Sequence, residues 1–238
     1  MPADAAARRQ LALELGHDAQ HGEADFLVGD GNQLAHGRIT AWPHWPDPIT
    51  LLLGPPKSGK SHLARIFADR SGAEAVGPDL LEQRAAEGGR RPLVIEDADR
   101  GGYDEAGLFH LINQAMRDGR HLLITARDEV GQWPLATDDV RSRLRRAATF
   151  RLELTDDIQL SQMFVKLFAD RQVAVDPKVI GYIVARMERS AEEAVILADL
   201  MDRLALERGT AITRSIAAAA LDRRQGEAGT ADWDPDDE

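Results

Sequence analysis

Eight consecutive residues, Gly54-Pro55-Pro56-Lys57-Ser58-Gly59-Lys60-Ser61, restrict this chain more than any other stretch, because they match the phosphate-loop pattern G-x-x-x-x-G-K-[ST]. A loop that wraps phosphates with backbone N–H groups needs glycine where a side chain would collide. The helix that follows must aim the positive end of its dipole at the anion. Such a loop therefore requires a strand before it and a helix after it, and both are legible. Ile49-Thr50-Leu51-Leu52-Leu53 is a short apolar run ending at glycine, the signature of a buried parallel strand. A helix is predicted from near Gly59 to about Asp69. In that frame Gly54, Pro55, Lys57, Ser58 and Gly59 form the cradle, Lys60 reaches the β and γ phosphates, and the Ser61 hydroxyl ligates Mg²⁺.

A phosphate loop of this kind needs an acidic element at the end of a later strand. Leu93-Val94-Ile95-Glu96-Asp97 supplies it: one carboxylate for the Mg²⁺ shell, here Glu96, and one to orient the attacking water, here Asp97. Asp99 is read as a cap of the following helix. His121–Thr125 repeats the short apolar strand signal, and Thr149–Leu154 alternates as a strand. Between Leu93–Ile95 and His121–Thr125, Glu105–Arg117 carries Leu108, Leu111, Ile112 and Ala115 at helical spacing. Strands alternating with helices imply an α/β fold, a parallel sheet covered on both faces. After Leu154 the pattern turns wholly helical. Thr155 is the expected cap of a helix to about Gln172. Asp176-Pro177 reads as a cap followed by proline at the first helical position. Ser190-Ala191-Glu192-Glu193 is a capping-box pattern, Gly209 closes that helix, and Thr213 opens a last one ending near Arg224. The expected organisation is an arm (1–21), an αβα domain (22–154), a small helical domain (155–224) and a disordered acidic tail (225–238).

Charge argues against a protein that grips DNA by itself. The net charge is −11, where a nucleic-acid binder usually shows a basic face. Six of the acidic residues follow Arg224 with no basic one among them, and the remainder is still −5. Cysteine is absent, which excludes disulfides and thiolate metal sites. The histidines form no ligand spacing, so no metal beyond Mg²⁺ is expected. No apolar run approaches the ~20 residues of a membrane span. A cytoplasmic, reducing setting fits this composition.

Taken together, these segments resemble the DnaA branch of the AAA+ ATPases, over about residues 10–224. Phe26-Leu27-Val28-Gly29 with Asn32 looks like the segment F-x-V-G-x-x-N that lines the adenine pocket. Gly59-Lys60-Ser61-His62-Leu63 looks like G-K-[ST]-H-L, and Leu122–Arg127 is similar to the sensor-1 strand around Thr125. Ser142-Arg143-Leu144 looks like the box of the arginine finger. The resemblance implies a five-stranded parallel sheet followed by a helical lid, with ADP or ATP and Mg²⁺ as ligands. Phe26, Leu27, Val28, His62 and Thr125 would join the nucleotide site.

Within that branch, two features point to a regulatory homologue of DnaA. The chain closes after the lid, without a basic helix-turn-helix for origin DNA. In addition, Gln10-Leu11-Ala12-Leu13-Glu14-Leu15 matches Q-L-x-L-x-L, the hexapeptide that binds the replicative sliding clamp, the polymerase III beta subunit. Gln10, Leu11, Leu13 and Leu15 would fill an apolar groove. DNA would then be met only through the clamp, at the nucleoid. Arg143 would act in trans on ATP bound to DnaA; Arg141, Arg145 and Arg146 read as a solvated basic face. A homo-oligomer joining the phosphate-loop face to the Arg143 face stays open. Two departures bear on catalysis in cis. Glu96-Asp97 stands where DnaA proteins usually carry two aspartates, and Glu192 stands at the sensor-2 arginine position, with Arg186 and Arg189 close by. An acidic residue there disfavours ATP and implies weak or no intrinsic ATPase. A helicase loader of the DnaC type and a self-sufficient ATPase or nucleotide kinase are the competing readings.

Overall fold

A computed structural model describes residues 22–153 and 156–231. Its sheet has five strands, β1 (Ile49–Leu53), β2 (Glu74–Ala75), β3 (Leu93–Ile95), β4 (Leu122–Ala126) and β5 (Ala148–Arg151), in the order β2-β3-β4-β1-β5 with every neighbour parallel. Parallel pairing follows from the crossover segments that separate the strands. Those segments carry α2 (Lys60–Ser71), α3 (Leu81–Glu87), α4 (Glu105–Asp118) and α5 (Asp138–Leu144), while α1 (Gln33–Thr40) precedes β1.

The two-residue alternation of strand side chains sorts these helices into layers. Ile49, Leu51, Leu53, Leu93, Ile95, Leu122, Ile124 and Ala126 pack against α3, α4 and α5. Leu52, Val94 and Leu123 face the other way, onto α1 and α2. The result is the expected αβα sandwich, its central strands β1 and β4 buried at every position.

Three boundaries differ from the sequence reading. Strand β4 begins at Leu122 because His121 belongs to an aromatic cluster: the Trp42 indole N–H donates to His121 Nδ1 at 3.2 Å, and Trp45 packs edge-on to the same ring. Strand β5 ends at Arg151, opposite Leu53, where β1 itself ends and offers no further ladder. Strand β2 is too short and too exposed to leave a pattern in the sequence.

The helical segment forms α6 (Asp157–Asp170), α7 (Pro177–Val184), α8 (Ala191–Arg208) and α9 (Arg214–Ala231) around a core of its own. The caps are local chemistry. Asp176 accepts from the Lys178 N–H at 2.8 Å and Ser190 from the Glu193 N–H at 3.0 Å. The cap of α6 is Asp156, which accepts from the Ile158 N–H at 2.8 Å. The predicted cap, Thr155, lies with Leu154 outside the described residues. Helix α9 continues past Arg224, which donates to Glu193 of α8 at 3.0 Å and so keeps the two helices joined where a stop was expected. Residues 225–231 are therefore helical; 232–238 lie outside the described residues.

Gly107 marks the closest approach between α3 and α4. A Cβ there would lie 2.6 Å from the Glu82 nitrogen and 2.9 Å from the Leu81 carbonyl carbon, both backbone atoms that cannot swing aside. Alanine in a helix interior is worth up to about 1 kcal/mol over glycine, whereas overpacking of this kind costs about 1–3 kcal/mol. Gly107→Ala is therefore expected to lower stability in urea unfolding by about 1–2 kcal/mol; a gain in stability would show that α3 shifts freely.

Candidate functional site

Strand β1 runs directly into the loop Gly54–Ser61, and the loop into α2. Gly54 has φ +156°, and a Cβ on it would meet the Leu152 carbonyl oxygen at 2.4 Å and Ser58 Oγ at 2.9 Å. Gly59, at φ +101°, lies 3.0 Å, measured from where its Cβ would stand, from the ring of Phe26. Both positions thus require glycine for space as well as for φ. The start of the loop is pinned to the sheet by the Gly54 N–H, which donates to the Ala126 carbonyl at 3.2 Å. Lys60, the first residue of α2, turns back on the loop and donates to the carbonyls of Gly54 at 2.6 Å and Pro55 at 2.8 Å. Burial pushes its pKa down; Asp97 opposes that shift, Arg127 adds to it, and Asp99 and Glu96 oppose it further.

The acidic element sits at the end of β3. Glu96 is exposed and Asp97 half-buried. Asp97 holds a left-handed conformation, φ +51°, sparsely populated for a residue with a side chain. Its N–H donates to Thr125 Oγ1 at 3.0 Å, and its carboxylate pairs with Arg100 at 3.3 Å. Thr125 is 1% exposed, so it acts on the backbone of Asp97 and does not line the cavity. Asp99 does not cap α4, as its position had suggested. Asp104 does, accepting from the Ala106 N–H at 2.9 Å, while Asp99 carries a buried carboxylate oxygen with no hydrogen-bond partner.

Loop and acids meet in one cavity of about 840 Å³. Of the residues singled out by sequence, Lys57, Gly59, Lys60, Ser61, His62, Glu96 and Asp97 line it. Gly54, Pro55 and Ser58 form the loop behind it. Phe26 stacks on His36 with centroids 5.6 Å apart and meets His62 edge-on at 5.1 Å. Its neighbours diverge: Leu27 lines a separate groove of about 690 Å³ against α6, and Val28 is 47% exposed. Asn32 fixes this segment, accepting from the Gly29 N–H and donating to the Leu27 carbonyl, both at 2.9 Å.

The structure adds two cations to the cavity, Arg65 and Arg127. Arg65 falls one helical turn after Ser61, and Arg127 two residues after Thr125, spacings from which both could have been inferred. A Mg²⁺-bound phosphate chain fits this donor set. The Ser58 hydroxyl is buried without a hydrogen-bond partner, the two glycines clear the loop of side chains, and α2 presents its N-terminus. Among the described residues no group of three or more metal-ligating side chains occurs. Mg²⁺ takes few protein ligands and leaves the rest to water and phosphate; Ser61 and Glu96 are the residues that would hold it.

Arg143 stands apart. It lies on α5, in the helix layer opposite α2, and does not line the cavity. Its guanidinium rests over Phe109 at 5.0 Å, beside Met116 Sδ at 3.9 Å. Arg141 is committed internally: it donates to Asp138 at 2.7 Å and to the Leu135 carbonyl at 3.1 Å, which corrects its reading as part of a solvated face. Arg145 and Arg146 are exposed. Glu192 is exposed in the first turn of α8, Arg189 pairs with Asp157 at 3.0 Å, and Arg186 lies over Tyr182 at 4.1 Å. Among the described residues, none from the lid lines the cavity. Gln10, Leu11, Leu13 and Leu15 lie outside the described residues.

This combination of a parallel αβα sheet, a phosphate loop after β1 and a four-helix lid defines the AAA+ fold. Solved structures agree. Domain III of the replication initiation protein DnaA from Thermotoga maritima matches with a TM-score of 0.68 at 14% identity, over 85% of this chain and 96% of that one. A RuvB structure from the same organism gives 0.63 at 17%, over 82% and 69%. AMPPCP-bound DnaA from Aquifex aeolicus gives 0.60 at 18%, over 86% and 68%. No protein-family model and no curated protein sequence matches the chain. Among the described residues no helix is long and apolar enough to cross a membrane.

Removing the acceptor of the Asp97 N–H tests the joint between β3 and β4. Thr125→Val keeps the shape but leaves that donor unpaired, which is expected to lower stability by about 1–3 kcal/mol. Thr125→Ser, which keeps the hydroxyl, is expected to fall well short of that loss. Paired denaturant titrations make the comparison, and equal losses in the two variants would show that the methyl group, not the hydrogen bond, matters.

Proposed function

We propose that this chain is a nucleotide-binding regulator of replication initiation, of the kind represented by Hda, the regulatory homologue of DnaA. It binds ADP or ATP with Mg²⁺ in the Gly54–Ser61 loop and turns over little of it. It docks on the DNA-loaded sliding clamp through Gln10–Leu15 and offers Arg143 to ATP held by DnaA. Hydrolysis then converts DnaA to its ADP form and prevents re-initiation.

The observation that carries this reading is the place of Arg143. It sits on α5, in the helix layer away from its own phosphate loop, and does not line that loop's cavity. Two others support it. The fold is shared with DnaA, including a DnaA structure bound to AMPPCP. Among the described residues the lid brings no cation to the chain's own site, since Arg189 and Arg186 are engaged elsewhere and Glu192 is acidic, which favours a partner's nucleotide as the one hydrolysed.

The test is ATP turnover by ATP-loaded DnaA with clamp on DNA, clamp and DnaA taken from the same source as this protein. Intact protein is expected to stimulate turnover, and Arg143→Ala to lose the stimulation, finger arginines being worth about 10³–10⁵ in rate. Gln10→Ala combined with Leu13→Ala is expected to lose it as well. Retention by that double variant rejects the clamp peptide and keeps the finger. No stimulation by intact protein rejects the regulatory reading and moves helicase loading to the front, which helicase capture would then examine.

A further inference from the structure

An apolar groove runs between α6 and the residues that lead into Phe26, and the function above gives it no role. Helix α6 carries two apolar stripes. Leu160, Phe164 and Phe168 are buried in the core of the lid. Ile158 and Val165, two turns apart on another face, stay 65% and 55% exposed. With Ala24 and Leu27 they line about 690 Å³ of groove. A surface helix ordinarily keeps its outward face polar, and a contiguous apolar patch on a surface marks a place of contact. The two walls are tied together, because Lys166 of α6 donates to the Asp25 carbonyl at 3.0 Å.

Three observations say what would fill this groove. The first is connection. Residues 1–21 join the described chain at Gly22, two residues from Ala24 on the lip of the groove. Leu15 precedes Gly22 by seven residues, an extended reach of up to about 25 Å, and α6, with 14 residues, is about 21 Å long. The second is spacing. Leu11, Leu13 and Leu15 recur at every second residue, so in extended form they would share one face over about 13 Å, against about 10 Å between Ile158 and Val165 along α6. The third is charge. The rim carries Asp25, Asp157 and Asp170 against the single Lys166, with Asp157 shared by Arg189, and the basic pair Arg8-Arg9 stands directly before Gln10.

We propose that this groove is a second dock for the chain's own Gln10–Leu15 segment, occupied in the free protein and vacated for the clamp; this rests on the reading of that segment as the clamp peptide. One peptide then serves two surfaces that exclude each other. Tethering holds the peptide at an effective concentration on the order of millimolar at the groove, so even weak apolar contacts keep it there. The clamp meets only the fraction of peptide that is free, and its apparent affinity falls by that fraction. The protein thereby shields its leucines from unrelated surfaces until the clamp, a tighter dock, takes them. While docked, the peptide adds to the tie between Asp25 and Lys166, and clamp engagement removes that addition.

The experiment is disulfide trapping in the full chain, which has no cysteine of its own. Ala12→Cys, among the leucines, is combined with Gln162→Cys, on the groove. The pair is oxidised with the groove intact and with Ile158→Gln and Val165→Gln together. Both of those residues are largely exposed, so thermal unfolding should be the same in the two backgrounds. The intact groove is expected to give an intramolecular cross-link, at a rate independent of protein concentration and about fivefold or more above that of the polar groove, and clamp is expected to slow it. Without the cysteines, Ile158→Gln with Val165→Gln is expected to bind clamp about three- to tenfold more tightly than wild type. Equal cross-linking in the two backgrounds overturns the proposal. Cross-linked dimer in place of monomer also overturns it, by putting the peptide on a second copy. A groove-dependent cross-link that clamp leaves unchanged rejects the clamp reading alone, and the intramolecular dock stands.

Discussion

The C-terminal end of β4 touches every part of the candidate site. Its Ala126 carbonyl holds the first N–H of the phosphate loop, its Thr125 hydroxyl holds the N–H of Asp97, and the next residue is Arg127. Parallel register makes this possible. β4 lies between β1 and β3, with Ala126 against Leu53 and Ile124 against Ile95, so β1 and β4 finish level, β3 stops two residues short of them, and the three deliver loop, acids and arginine to one edge. A one-residue slip would turn Thr125 from the acids and reverse the apolar faces of the strand together. The same apolar residues that bury the sheet therefore fix the spacing of the polar ones beyond it.

That coupling explains what could be read in the chain before its structure. Strands β1 and β3 were legible to the residue, because each is a short apolar run that ends in its own chemistry, Gly54 or Glu96. The lid caps Asp176 and Ser190 were legible because a cap is a local hydrogen bond. What escaped was decided at a distance. β2 exists only because β3 offers it an edge. β5 stops where β1 stops. α9 runs on because Glu193 on another helix holds Arg224. The site divided the same way: the loop and both acids were visible as spacing, whereas the entry of Arg65 and Arg127 depended on the direction in which a helix turn and a strand end point their side chains. Thr125 was expected at the nucleotide, and burial places it one layer behind, on the backbone of Asp97.

The arginines show how one residue type serves two ends. Arg38 is buried under β1, donating to Thr50 Oγ1 at 3.0 Å and the Asp47 carbonyl at 2.7 Å and resting over Trp45 at 4.6 Å. Arg120 donates to the Arg91 carbonyl at 2.8 Å and to Gln114 at 3.0 Å. Burial lowers the pKa of both, yet each keeps its charge at any ordinary pH because a guanidinium starts so high. Removing the partners of such a group leaves a buried charge stranded, so these positions belong to stability. The two acceptors of each, one backbone carbonyl and one side-chain oxygen within the chain, separate them from an arginine held in reserve.

Arg143 is held differently from its neighbour two residues earlier on α5. Arg141 has a carboxylate and a backbone carbonyl as acceptors. Arg143 has the face of Phe109 and the soft sulfur of Met116, and the latter is 48% exposed. A cation–π contact at a site open to water is worth about 0.5–1 kcal/mol, and it leaves the guanidinium N–H groups without strong acceptors. A charged hydrogen bond to an oxyanion contributes about 1.5–3 kcal/mol. An incoming phosphate would therefore outcompete the ring, while in its absence the ring keeps the side chain from sampling all its rotamers. For the finger role proposed for Arg143, Phe109 and Met116 would act as a weak rest, limiting the entropy lost on engagement without opposing it.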